Sequence, residues 1–313
     1  MKKLLTIFIL FFIVSQVNAE EINSSQAENI DGIIYKIGNE NPFSGKINTY
    51  RDDKLILAAD FKLGRLNGKY EEYFNDQSIK KSAYYFNGKL SGEYIEYYKS
   101  GSTKLQTYFR EGERFGITRT FYPNENLKSL KTYYKGKLRG EFKEFSIDGA
   151  PLKKGYFRNS LENGTFEWFD HPDGSMNQRG IYKDGQKNGL FEWFNLDGSL
   201  SRRGIYKDGL LKGLFEWFNP DGSVDERGIY KDDKKNGLYE FLYPNGSMNQ
   251  RGTYKDGLLN GLYEWFNPDG SIDERGNYKD GQLNGLYEWF DHPDGSMNQR
   301  AIYKDGKKNG LQE

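Results

Sequence analysis

Asn188-Gly189-Leu190-Phe191-Glu192-Trp193-Phe194-Asn195-Leu196-Asp197-Gly198-Ser199, with Arg203-Gly204-Ile205-Tyr206-Lys207-Asp208-Gly209 behind it, is the stretch that decides the fold. Its opening glycine returns at Gly45, Gly68, Gly92, Gly116, Gly140, Gly164, Gly189, Gly213, Gly237, Gly261, Gly285 and Gly310, at intervals of 23 to 25 residues. A short period held without interruption means a repeat array, and these glycines are read as its structural marks. The two longest intervals begin at Gly164 and Gly285, where Asp170-His171-Pro172-Asp173-Gly174 and Asp291-His292-Pro293-Asp294-Gly295 replace the usual Asn-Pro-Asp-Gly. A turn absorbs an added residue, whereas a slip inside a strand would send every side chain to the wrong face.

Each repeat reads as two strands. From Leu190 to Asn195 the residues alternate, so Phe191 and Trp193 share one face while Leu190, Glu192 and Phe194 share the other. Pro-Asp-Gly turns the chain, Ser199 to Tyr206 returns, and Lys207-Asp208-Gly209 leads onward. No segment has helical periodicity, and no connection is long enough for a parallel crossover. The expectation is an all-β, elongated, single-layer antiparallel β-hairpin repeat array, with about 24 residues and two strands per repeat. Glycine beside an aromatic in the return strand, at Gly204, Gly228 and Gly252, is expected to let a neighbouring ring lie on bare backbone.

The ends carry different signals. Lys2 and Lys3, the apolar run Leu4 to Val14 and the small residues before Ala19 read as a signal peptide over 1–19, cleaved after Ala19. The chain is therefore expected to be exported to the periplasm, cell surface or exterior. Residues 20–31 are polar and read as a disordered N-terminal segment, with the array over 32–313. Gly32-Ile33-Ile34-Tyr35-Lys36 reads as the closing half of a repeat. The last residues, Asn309-Gly310-Leu311-Gln312-Glu313, begin another strand, whose unpaired edge suggests end-to-end self-association.

At Tyr206-Lys207-Asp208-Gly209 to Gly213-Leu214-Phe215-Glu216-Trp217 the sequence resembles MORN repeats. It is more similar still to the bacterial MORN-variant family of YwqK-type antitoxins, whose opening looks like Asn41-Pro42-Phe43-Ser44-Gly45. The resemblance covers residues 32 to 313. It implies a MORN-like single-layer sheet rolled into a trough and acting in protein or membrane association. The toxin-antitoxin role in that family's name is cytoplasmic, so it is the alternative to export.

Chemistry is sparse. Lys plus Arg and Asp plus Glu stand at 45 each, which gives nucleic acid nothing to bind; cysteine is absent, and with it disulfides and thiolate metal sites. His171 and His292 sit in turn sequences without convergent partners. Asn219-Pro220-Asp221-Gly222-Ser223 lacks the alternating acids of a calcium loop and reads as a turn. Glu192, Glu216, Glu240, Glu264 and Glu288 recur along the first strands as an acidic row, read as a solvated face. No catalytic residue, metal or cofactor is expected, because a repeat offers no singular place to put one. The candidate binding surface is the aromatic row Trp168, Trp193, Trp217, Phe241, Trp265 and Trp289. Its expected partner is an unidentified protein or cell-envelope component. A carbohydrate- or choline-type surface repeat, binding glycans or lipid headgroups, is the runner-up.

Overall fold

The computed structural model describes residues 20–291 and 294–310. The stretch read as a signal peptide, His292 and Leu311-Gln312-Glu313 lie outside these described residues. The chain forms two compact units, one ending at Glu113 and one starting at Arg114, and each is an antiparallel hairpin array.

In the second unit every repeat folds as its pattern dictates. Gln186–Phe194 pairs with Leu200–Lys207 in the register Phe191↔Gly204, Glu192↔Arg203, Trp193↔Arg202. Leu200–Lys207 then pairs with Leu210–Phe218 through Arg202↔Trp217, Arg203↔Glu216 and Gly204↔Phe215. Residues directly opposite share a face, so each hairpin presents an aromatic side and a charged side.

The turns explain the punctuation. Asp208 has φ +52° and Gly209 φ +87°, the two positive angles of a type I′ turn, which matches the twist of the strands it joins. At the opposite end Asn219 N–H donates to the Ser223 carbonyl at 2.8 Å, and Ser223 N–H donates to Asp221 Oδ1 at 2.9 Å. The repeat glycine does a separate job. Gly204 pairs with Phe215 and Tyr206 with Leu211, so Ile205 alone faces Lys212-Gly213-Leu214. Gly213 sits in the middle of this bulge at φ +120°, an angle that a side chain rarely tolerates.

The N-terminal segment corrects the expectation of disorder over 20–31. Glu20–Asn23 pairs in parallel with Gly45–Arg51, the one parallel pair described. Asn23 then caps a short 3-10 turn over Ser24–Gln26. Ala27–Ile30 and Ile33–Lys36 form their own two-stranded sheet, so Ile33 to Lys36 does not close a repeat. Ile22, Phe43 and Ile47 are the buried centre of this cap, with Ala27, Ile34 and Phe61 packed against them. The physical reason is the edge of Gly45–Arg51, whose backbone groups need a partner. A hairpin between the two parallel strands supplies the crossover that antiparallel repeats lack.

Candidate binding face

The aromatic side of the second unit is built from two rows. In the deeper row, rings of first and return strands alternate edge to face. Phe191 lies between Tyr182 at 5.4 Å and Tyr206 at 5.1 Å, and Tyr239 lies between Tyr230 at 6.2 Å and Tyr254 at 5.8 Å. Each such pair contributes about 1 kcal/mol beyond its buried area. Phe166 and Phe191 are fully buried although only one sheet supports them. They achieve this by lying on glycine. A Cβ on Gly180 or Gly204 would stand 2.2 or 2.3 Å from a carbon of Phe191 or Phe215, and the same holds at Gly252 against Tyr263. At Gly228 the distance to Tyr239 is only 1.8 Å.

The second row is the predicted one. Trp168, Trp193, Trp217, Phe241, Trp265 and Trp289 fall in register on the same side, each half-buried. They pack sideways against the deeper rings: Trp193 is 6.1 Å from Phe191 and 6.0 Å from Phe215, and Trp265 is 4.3 Å from Tyr263. Packing thus fixes one side of each ring and leaves part of it open.

Between these rings stands a polar set that the sequence reading did not single out. Gln178 lies opposite both Trp168 and Trp193, and Arg202 opposite both Trp193 and Trp217. Glu226 lies between Trp217 and Phe241, Gln250 between Phe241 and Trp265, and Glu274 between Trp265 and Trp289. Gln299 follows Trp289. Only the strand register brings them together, since neighbours in the ladder are 9 to 15 residues apart in sequence. Tyrosines of the deeper row hold three of them. Tyr263 Oη donates to Gln250 Oε1 at 2.6 Å, and Tyr239 and Tyr287 bond Glu226 and Glu274. Arg202 lies over Trp193 at 4.7 Å, while Lys235 lies over Tyr239 at 3.4 Å.

Burial gives this face a pH signature. It pushes the Tyr263 hydroxyl up to about 12 and raises Tyr206, Tyr230, Tyr239, Tyr254, Tyr278 and Tyr287 as well. The unfolded tyrosine releases its proton near 10.0 while the folded one still holds it, so stability is complete below that pH and falls as pH rises through the folded values. Lys187 and Lys235, pushed down by burial, act oppositely: stability is lost as pH falls through their folded values and is restored towards 10.5. The tyrosines outnumber them. Urea unfolding followed by circular dichroism is expected to show a steep loss of stability above about pH 10. A flat profile between pH 9 and 12 would show that the hydroxyls are not desolvated.

The other side corrects the acidic row. Glu192 and Glu216 are bonded by the Nε of Arg179 and Arg203, and Glu240, Glu264 and Glu288 by Arg227, Arg251 and Arg275 at 2.5 Å. Glu216 and Glu264 are 6% and 5% exposed, so the row is neither uncompensated nor solvated. Arg179, Arg203, Arg251 and Arg275 each cover a carboxylate and lie over the next ring, as Arg203 does over Phe218 at 5.3 Å. His171 is part of its turn, as expected, and its Nε2 also meets the Phe194 carbonyl at 3.0 Å, one hairpin onward. Tyr122 and Tyr243 make the same link to Phe145 and Phe266.

The first unit has the tyrosine row without the tryptophans. Glu72 and Glu96 take the Trp position, accepting from Tyr70 Oη at 2.9 Å and Tyr94 Oη at 2.7 Å. A recess of about 490 Å³ there is lined by Arg51, Glu72, Lys80 and Lys99 among others, with Lys80 3.7 Å from Glu72.

Residues 235–256 and 259–280, the hairpins centred on Phe241 and Trp265, match one family model. It is the MORN repeat variant. The MORN-variant match thus covers two adjacent repeats of the second unit, including Gly237 and Gly261 and the rings Tyr239 and Tyr263. No curated protein matches the chain. Among solved structures, TarM is similar over 42% of this chain and 21% of its own, at 13% identity and a TM-score of 0.21. TarM of S. aureus in complex with fondaparinux, alpha-GlcNAc-glycerol and UDP is similar over 39% and 19%, at 14% identity and 0.19. TcdB2-TccC3 is similar over 90% of this chain and 19% of its own, at 11% identity and 0.18.

Proposed function

We propose that this chain is an exported, non-enzymatic repeat scaffold that binds a protein or cell-envelope component along the aromatic face of its second unit. The observation that carries this reading is the half-open ring row Trp168 to Trp289, repeated in register hairpin after hairpin. A surface built this way engages an extended partner through many equivalent contacts, and binding energy gathers at aromatic residues. Export rests on the segment that ends at Ala19. It also sets aside the YwqK-type antitoxin role, which belongs to the cytoplasm.

The charged side offers the competing surface, with Leu190, Ile205, Ile229 and Leu238 each 38–46% exposed. Proximity labelling from the exported protein separates the two. Trp217→Ala with Trp265→Ala is expected to reduce partner labelling by about tenfold, the effect of losing interface hot spots, while Ile229→Ser with Leu238→Ser leaves it unchanged. The reverse pattern would move the function to the charged side. A mature N-terminus other than residue 20 would sink export, and a purified hydrolytic activity lost with a single carboxylate would sink the non-enzyme reading.

A further inference from the structure

The geometry points to a ligand class for that face: an unbranched polysaccharide of β-1,4-linked hexopyranose units, laid across the strands along the tryptophan row. This rests on the reading that the aromatic face is the binding face.

Three features of the ladder select it. First, the open part of each ring asks for a flat apolar patch, which the C–H face of a β-linked pyranose presents. Second, the side chains between the rings demand both hydrogen-bonding senses. Arg202 only donates. Gln250 has its Oε1 occupied by Tyr263, which leaves its amide N–H groups for a ligand. Glu226 and Glu274 are acceptors, each already steadied by a buried tyrosine. A hydroxyl donates and accepts at once, so a polyhydroxylated chain satisfies all of them. A proline-rich peptide offers carbonyl acceptors and few donors, so it would bring neither carboxylate a donor of its own. A phosphate backbone or an anionic headgroup would be placed against them. Third, the motif repeats every two strands, about 10 Å. In a β-1,4-linked chain alternate sugars are turned over, so like faces recur once per disaccharide, at a comparable interval. The chain can therefore set the same face on ring after ring.

The test is calorimetric titration of the mature protein with β-1,4-linked glucose and N-acetylglucosamine oligomers from disaccharide to octasaccharide, beside α-1,4-linked glucose oligomers of equal length. Affinity for one β-1,4 series is expected to rise at least about tenfold from disaccharide to hexasaccharide. Trp265→Ala and Glu274→Ala should each cost about tenfold. Trp265→Phe should stay folded, because Phe241 already holds the equivalent place. It is expected to keep most of the affinity, which guards against misfolding as the cause of the alanine result. No binding of either β-1,4 series, binding independent of length, or equal binding of the α-linked chains would overturn the assignment. If oligomers fail while partner labelling still depends on Trp217 and Trp265, only the ligand class is wrong. If labelling depends on Ile229 and Leu238 instead, the face itself is wrong.

Discussion

Gly228→Ala is expected to destabilise the second unit by about 3 kcal/mol, at the upper end of what overpacking costs. The sign is informative, because glycine to alanine at an extended, unstrained position ordinarily stabilises by about 0.4–1 kcal/mol. Gly228 is not in the positive-φ region, so its backbone would accept alanine. The added methyl would instead stand 1.8 Å from a carbon of Tyr239, a ring that is 2% exposed. Tyr239 is confined by Tyr230 and Tyr254 on either side and by Phe241 at 5.2 Å, so it has nowhere to tilt. The first unit shows what accommodation requires. Ala59 and Ala83 are buried opposite Tyr70 and Tyr94, and there the position taken elsewhere by tryptophan is Glu72 or Glu96, which draws the tyrosine hydroxyl towards itself. Gly228→Ala combined with Phe241→Glu should therefore recover part of the loss. Hydrogen exchange should place the damage in Val224–Lys231 and Lys234–Leu242, since each repeat leans only on its neighbours. A Gly228→Ala protein as stable as the parent would mean that the rings do not seat on bare backbone.

The glycine seats were legible because they are local: a small residue at fixed distance from an aromatic, repeated, needs a packing reason. So were the turns, where Asp208-Gly209 and Asn219 to Ser223 carry their conformations in their residue types. What stayed hidden depends on register. Glu192 and Arg179 are 13 residues apart, and nothing short of the pairing Arg179↔Glu192 says that one neutralises the other. The same holds for Gln250 and Glu274 between the rings. The cap was missed for another reason. Glu20 to Ile30 has a single buried apolar residue, Ile22, so its composition resembles a disordered tail. Its order comes from the strand edge it covers, with Asp31-Gly32 forming the type I′ turn of its hairpin.

The charged side yields the second large effect. Glu264 is 5% exposed and lies opposite Arg251 on one side and Arg275 on the other. Arg251 bonds it directly, whereas Arg275 bonds Glu288. Each arginine is well exposed, at 45% and 38% of its side chain, so its attraction is screened by solvent. Arg251→Ala alone should therefore cost only about 1 kcal/mol, because Arg275 still faces the carboxylate from the neighbouring strand. Arg275→Ala alone should cost a similar amount. Removing both leaves a buried carboxylate with no cation opposite it on either flanking strand, and the double variant should lose about 4 kcal/mol, well beyond the sum. Adding Glu264→Gln to the double variant should return much of this, since the amide carries no charge to desolvate. A double-mutant cycle by urea unfolding measures the coupling. Strict additivity of the two arginines would mean that each serves its own carboxylate as an isolated pair. Supra-additive loss relieved by Glu264→Gln would establish that the charges of successive hairpins act as one ladder, and that stability passes from repeat to repeat on this side through carboxylates shared between strands.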